Sequence, residues 1–224
     1  MNNKRLISIF SRYLASSGSR SAVGGFSLLL SHPNIDPYDS FAIRLDRKEN
    51  HSFLENISLL TIPMKSDLKT YQAHEIAPKS SFFPVWLKQR KNLIFEFCSA
   101  LENSDLKKIG ELAEYDTLCL HSVVMSVKDN NIIAWEPNTL KVMHKVRELR
   151  KNQGYTVYFS IDTGPSVVLL TYENEKKDII NELKNIIPEY EIIEGKIGGP
   201  SKMIPPNSPE SMKLKVDIEK FNKF

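Results

Sequence analysis

The succession of sequence patterns predicts an α+β fold, an antiparallel sheet with helices packed on one face. Three observations carry that expectation. Patterned segments follow one another with short connections up to residue 200. Three long helical stretches lie together in the middle of the chain. The last third reads strand, tight turn, strand, helix, strand, which is half of a split β-α-β arrangement.

Taken in order, apolar spacing predicts a helix over 4–15, where Leu6, Ile9, Phe10, Tyr13 and Leu14 recur at helical intervals. A Ser/Gly loop over 16–25 opens into a strand at 26–30. Strands at 41–46 and 57–63 come next, then helices at 80–102, 105–126 and 137–152. Strands at 155–161 and 167–172 flank the turn Asp162-Thr163-Gly164-Pro165, where glycine can take positive φ and proline fixes the angle of re-entry. A helix at 176–187 and a strand at 190–197 complete the pattern. The chain thus divides into 1–35, 36–200 and a charged tail, 201–224, entered through a proline-rich linker.

Composition narrows the function. The 224 residues are 41% hydrophobic and 25% charged, which excludes a disordered, collagenous or disulfide-framework chain. A net charge of +3 is too small to argue for nucleic acid. Cys98 and Cys119 have no metal-ligand spacing and read as reduced thiols of a cytoplasmic protein. No apolar run approaches the ~18 residues of a membrane span. Before Asp36 the chain is basic and serine-rich without acids, a pattern an organellar transit peptide shares. The preferred reading is a helix that feeds a functional loop, because the next motif continues directly out of it.

That motif is Ser16-Ser17-Gly18-Ser19-Arg20-Ser21-Ala22-Val23-Gly24-Gly25. Serine hydroxyls suit an oxyanion, an arginine fork suits a carboxylate or phosphate, and paired glycines admit a ligand close to the backbone. A flexible polar loop has the same composition. Asp162 ends an apolar strand, where a half-desolvated carboxylate can accept a hydroxyl proton, or simply begin a turn. Asp116 shares a helical stripe with apolar residues and invites a partner, most simply a Lys or Arg, while His121 points away from it. Lys65, Lys69 and Lys79 precede a helix start near Ser80-Ser81, a fair anion site or a solvated loop. His32, His51, His74 and His144 show no ligand spacing, and no metal site is expected.

These stretches together resemble the C-terminal half of mevalonate diphosphate decarboxylase, in the GHMP kinase superfamily. The likeness rests on Ser17-Gly-Ser-Arg20-Ser-Ala-Val-Gly24-Gly25-Phe26, on Ser80-Ser81-Phe82-Phe83-Pro84-Val85-Trp86, on Asp116 and His121, on Asn138-Thr139, on Asp162-Thr-Gly164-Pro165 and on Lys196-Ile-Gly198-Gly199-Pro200. It implies a C-terminal domain of the GHMP kinase type, with residues 1–35 as an edge of the N-terminal domain. It implies ATP-dependent decarboxylation of mevalonate 5-diphosphate to isopentenyl diphosphate, with ATP and Mg2+ as cofactors. Asp162 would orient or deprotonate the 3-hydroxyl and Arg20 would hold the carboxylate of the same substrate, the two facing one hollow. Ser17, Ser19, Ser21, Lys69 and Gly164 would line the substrate pocket.

Two departures from that pattern stand out. The family's paired serines align with Leu68-Lys69, so a lysine replaces hydroxyl contacts. The Gly/Ser-rich phosphate loop of the nucleotide-binding half is missing from this sequence, so the expected partner is a complementing N-terminal half or a second copy. The alternatives are a related mevalonate phosphate kinase or a non-catalytic binding or scaffold module.

Overall fold

The computed structural model describes residues 3–31, 34–66, 68–128, 130–213 and 215. They form two compact units, one from the stretch up to Arg44 together with the segment from Gly198 onward, the other from Leu45–Ile197.

The smaller unit begins with α1, Lys4–Arg12, whose first turn is closed by the Asn3 side chain accepting from the Leu6 N–H. The segment read as a Ser/Gly loop starts with a second helix, α2, Ser16–Ser21. Serine is only a modest helix former, but here its hydroxyls are taken up: Ser21 Oγ donates to the Ser17 carbonyl at 3.0 Å. Ser8 Oγ pairs with Ser19 Oγ at 2.8 Å and accepts the Ala42 N–H at 2.8 Å, which ties both helices to the strand behind. Strands β1, Ser27–Leu29, and β2, Ala42–Arg44, pair only with each other, antiparallel, with Leu28 opposite Ile43. Gly24 has φ +67°, and a Cβ there would lie 2.3 Å from the Gly199 carbonyl carbon. The Gly25 N–H donates to Gly198 O at 2.8 Å, so the returning C-terminal segment is laced to this glycine pair.

The larger unit holds a four-stranded antiparallel sheet. A short helix α3, His51–Glu55, leads into β3, Ile57–Ile62. Helices α4, Thr70–Ile76, α5, Phe83–Glu102, α6, Leu106–Met125, and α7, Pro137–Gln153, follow. Then come β4, Val157–Ser160, β5, Val167–Tyr172, α8, Lys176–Lys184, and β6, Ile193–Lys196. The order is β4-β5-β3-β6. β5-α8-β6 is therefore a split β-α-β unit with β3 in the gap, and the expected α+β class holds. α4, like α2 and the short α3, is a helix that the sequence reading missed. Asp105 caps α6 by accepting the Lys108 N–H at 2.9 Å, and Gly154, at φ 73°, ends α7.

One face of this sheet makes the main core. Leu60, Phe159 and Leu169 stand side by side across three strands and are shut in by Val142, Val146 and Leu149 of α7 and Ile179 and Leu183 of α8. A second apolar cluster joins Ala73 and Ala77 to Val123 and Val124 of α6, with Phe83 and Trp86 of α5 against it.

Candidate active site

β4 delivers its C-terminal end to a rigid turn. The turn is fixed by four elements of its own unit. Thr70 Oγ1 and Thr163 Oγ1 share a hydrogen bond at 3.0 Å. Thr139 Oγ1 donates to Pro165 O at 2.8 Å. Ser166 Oγ accepts the Met64 N–H at 2.9 Å. Gly164 has φ +85°, and a Cβ there would meet the Ala134 carbonyl oxygen at 2.3 Å. The Gly164–Pro165 bond is cis.

The Asp162 side chain is exposed, not half-desolvated as its place at a strand end suggested. It is the main chain that is gripped: His121 Nε2–H donates to Asp162 O at 2.8 Å and lies 3.3 Å from Ile161 O. His121 is 1% exposed and stacks on Trp135 with ring centroids 5.4 Å apart. Burial holds its pKa below the ordinary 6.5, so the ring is neutral, and the two carbonyl acceptors require the proton on Nε2.

Asp162 and Thr163 border a cleft of about 410 Å3 over the second apolar cluster, walled by His74, Phe83, Trp86, Arg90, Leu120 and His121 among others. That volume suits a small molecule, whose sites span about 300–1,000 Å3. Arg90 lies 4.7 Å over the Trp86 ring, and its Nη1 reaches both Asp116 carboxylate oxygens at 3.0 and 3.1 Å. Asp116 therefore has the arginine partner its apolar stripe called for. Trp86 Nε1–H and His121 Nδ1 are buried without partners among the described residues.

The remaining expected residues separate into two sets. Lys69 is exposed at the start of α4, next to Thr70, so it stands one residue from a side chain bonded to the Asp162 turn. Gly164 is used for packing against Ala134. In the other unit, Arg20 and Ser17 are exposed, and Arg20 has no side-chain partner among the described residues. Ser19 is fully buried and its hydroxyl is spent on Ser8. Ser21 is exposed with its hydroxyl turned back on the helix. The anion site expected at Ser80-Ser81 does not form in that way: Ser80 Oγ accepts the Phe82 N–H and shares a bond with Ser126 Oγ at 2.9 Å. Of the other histidines, His74 borders the cleft, His51 pairs with Glu55 at 3.5 Å, His144 is exposed, and His32 lies outside the described residues.

What the sequence reading missed is the reach of His121. Its signal was the polar series Glu114, Thr117 and His121, at intervals of three and four along one face of the helix. Among the described residues no three His, Cys, Asp or Glu side chains gather as a set that could hold a metal ion.

No family model matches the chain. The fold is the one seen in solved mevalonate diphosphate decarboxylases. Mevalonate diphosphate decarboxylase from Staphylococcus aureus superposes with a TM-score of 0.79 at 22% identity, over 91% of this chain and 61% of that one. Another solved neighbour, with a TM-score of 0.77 and 23% identity over 86% of this chain and 58% of the other, is a complex with MVAPP, AMPPCP and magnesium. A third is mevalonate-3-kinase from Thermoplasma acidophilum, with a TM-score of 0.70 and 18% identity over 84% and 55%.

The curated relatives are more particular. Mevalonate 3,5-bisphosphate decarboxylase of Thermoplasma acidophilum is 30% identical over 190 residues, 84% of this chain and 43% of its own length. Phosphomevalonate decarboxylase of Haloferax volcanii is 28% identical over 198 residues, 88% and 58%. The chain is thus a homologue of mevalonate-pathway decarboxylases and corresponds to their C-terminal part. It spans about half the length of the curated relatives it matches.

Proposed function

We propose that this chain is the substrate-holding part of an ATP-dependent decarboxylase acting on a phosphorylated mevalonate. The observation that carries the reading is an exposed carboxylate, Asp162, on a turn fixed from four sides at the rim of a cleft of about 410 Å3. Phosphoryl transfer depends on placing a nucleophile and balancing charge rather than on covalent chemistry by the protein. A rigidly placed carboxylate serves by orienting a tertiary hydroxyl and taking its proton as the phosphoryl group arrives. The second half-reaction breaks the carboxyl carbon's bond to the chain. Its electron pair forms the new double bond as the 3-phosphate departs. For a substrate already phosphorylated at that oxygen, only this elimination remains.

Arg20 is proposed as the fork for the substrate carboxylate and Lys69 as a phosphate contact, with Ser17 beside Arg20. Their roles fall on different units, and each is tested by its own variant. ATP and magnesium are assigned to residues outside those described, in a nucleotide-binding half supplied by the same polypeptide or by another. The exposed apolar side chains of α1 and of the turn that follows it, Leu6, Phe10, Tyr13 and Leu14, are proposed to be covered by that half. Free Cys98 and Cys119 are in keeping with a cytoplasmic setting.

The test is to mix the chain with the nucleotide-binding half of a curated relative, or with the rest of its own polypeptide. ATP, magnesium and each of mevalonate 5-phosphate, 3,5-bisphosphate and 5-diphosphate are then supplied. ADP and CO2 released together from one of the first or last supports the proposal, whereas CO2 alone from the bisphosphate would show a decarboxylase that does not use ATP and would overturn that part of it. The likeness to a mevalonate kinase supports a second reading, in which ADP is released without CO2. Absence of both products with every substrate would refute the proposal.

A further inference from the structure

Behind the Asp162 side chain, the strand that carries it is held by a row of side chains on α6. β4 is an edge strand, paired with β5 on one side only. Its other edge exposes backbone groups that need partners. Glu114, Thr117 and His121 lie on one face of α6 and supply them in sequence. Glu114 Oε1 accepts the Phe159 N–H at 3.1 Å, Thr117 Oγ1 accepts the Ile161 N–H at 3.1 Å, and His121 Nε2–H donates to Asp162 O at 2.8 Å. The first rung is anchored by Arg150, whose Nη1 and Nη2 grip the Glu114 carboxylate at 2.6 and 2.9 Å.

The last rung is the one that reaches the reactive residue, and it is built tightly. The ring is stacked on Trp135, and Gly164 leaves only enough room that an added Cβ would come within 3.2 Å of His121 Cε1. A ring so confined has one orientation, and the shorter of the two contacts of its Nε2–H ends on the carbonyl of Asp162, with Ile161 O farther off at 3.3 Å.

We propose that His121 is a positioning residue for the chemistry at Asp162, its Nε2–H clamping the Asp162 carbonyl and thereby fixing where the carboxylate stands against the substrate hydroxyl. The inference rests on the reading of Asp162 given above. A histidine that merely filled the core would matter for stability and leave turnover alone.

The experiment compares His121→Leu, His121→Gln and Asp162→Asn in the assembled, active enzyme. Steady-state kinetics are measured with the 13C resonance of the residue-162 carbonyl and near-ultraviolet circular dichroism. A glutamine amide nitrogen reaches about as far as histidine Nε2, and leucine offers no donor. His121→Leu is expected to lower kcat about 10²-fold with KM unchanged, the loss that a misplacement of the order of 1 Å brings. Its carbonyl resonance shifts, and His121→Gln restores both. Should His121→Leu fail to fold, His121→Asn, one carbon shorter than glutamine, takes its place with the same expectation. A folded variant without the donor that turns over like wild type overturns the inference, and so does a His121→Gln protein that keeps the carbonyl bond yet loses as much kcat as leucine. An active Asp162→Asn enzyme instead defeats the reading of Asp162 itself, and the inference falls with it. An inactive Asp162→Asn beside a fully active His121→Leu defeats this inference alone.

Discussion

Gly110 sits inside α6 against the ring of Tyr158, and a Cβ there would lie 2.1 Å from Tyr158 Cγ. Helix propensity alone favours alanine by about 1 kcal/mol. Overpacking costs about 1–3 kcal/mol and is expected to prevail. Gly110→Ala should therefore lower the urea midpoint, and a raised midpoint would contradict the close approach of α6 to β4. Arg20→Lys should raise KM with little change in kcat, because a point charge cannot make a two-pronged contact with a carboxylate. Equal KM values would remove Arg20 from that role. At this scale the sequence is uneven in what it discloses. The turn at Asp162 is legible because a strand-ending Asp-Thr-Gly-Pro is a distinctive pattern. Ser17 and Ser19 have the same composition but different fates, exposed in one case and buried against Ser8 in the other. Which hydroxyl faces inward depends on the phase of a six-residue helix, which serine content does not reveal.

Among the elements, the long helices and the strands of the sheet are where apolar periodicity puts them, because each buries a stripe or a face. β5 spans 167–172 as read, and α7 departs by one residue. α4 escaped the reading because its buried side comprises only Ala73 with Ile76 and Ala77 next to it, too small a stripe to stand out within a basic stretch. α2 escaped it because the Ser19 hydroxyl is taken up by Ser8, a tertiary partner that the local pattern does not show. The polar rungs of α6 are likewise tertiary, and their cost can be measured. Thr117→Val keeps the shape but leaves the Ile161 N–H without its acceptor, and should destabilise the chain by about 1–3 kcal/mol. Urea unfolding checks this, and a stability equal to wild type would show that the rung contributes nothing.

For the molecule as a whole, acid should weaken the fold in two stages. His121 is held below its usual 6.5 by burial, so the unfolded chain takes up that proton first. Its contribution is complete above 6.5 and is lost as the pH falls beneath that value. Glu173 is lowered to about 2 by hydrogen bonds from Lys176, Lys196 and Ser58, so its contribution is complete above about 4.5 and fades as the pH drops from there toward 2. Thermal midpoints followed from pH 8 to 3 should decline in those two windows. His121→Gln should remove the first, and persistence of that decline in the variant would assign it elsewhere. The α+β class and the mevalonate-decarboxylase relationship were legible in the order of motifs along the chain, since that order follows the element order of the fold. Coverage was a different matter: about half of each curated relative's length has no counterpart here.

The central claim is that the Asp162 carboxylate takes part in the reaction. Substituting it by asparagine keeps size and shape while removing the base. In the assembled enzyme, with ADP and CO2 release followed together, Asp162→Asn is expected to lower turnover by about 10²–10⁴-fold at unchanged thermal stability. Product release at the wild-type rate would contradict the account.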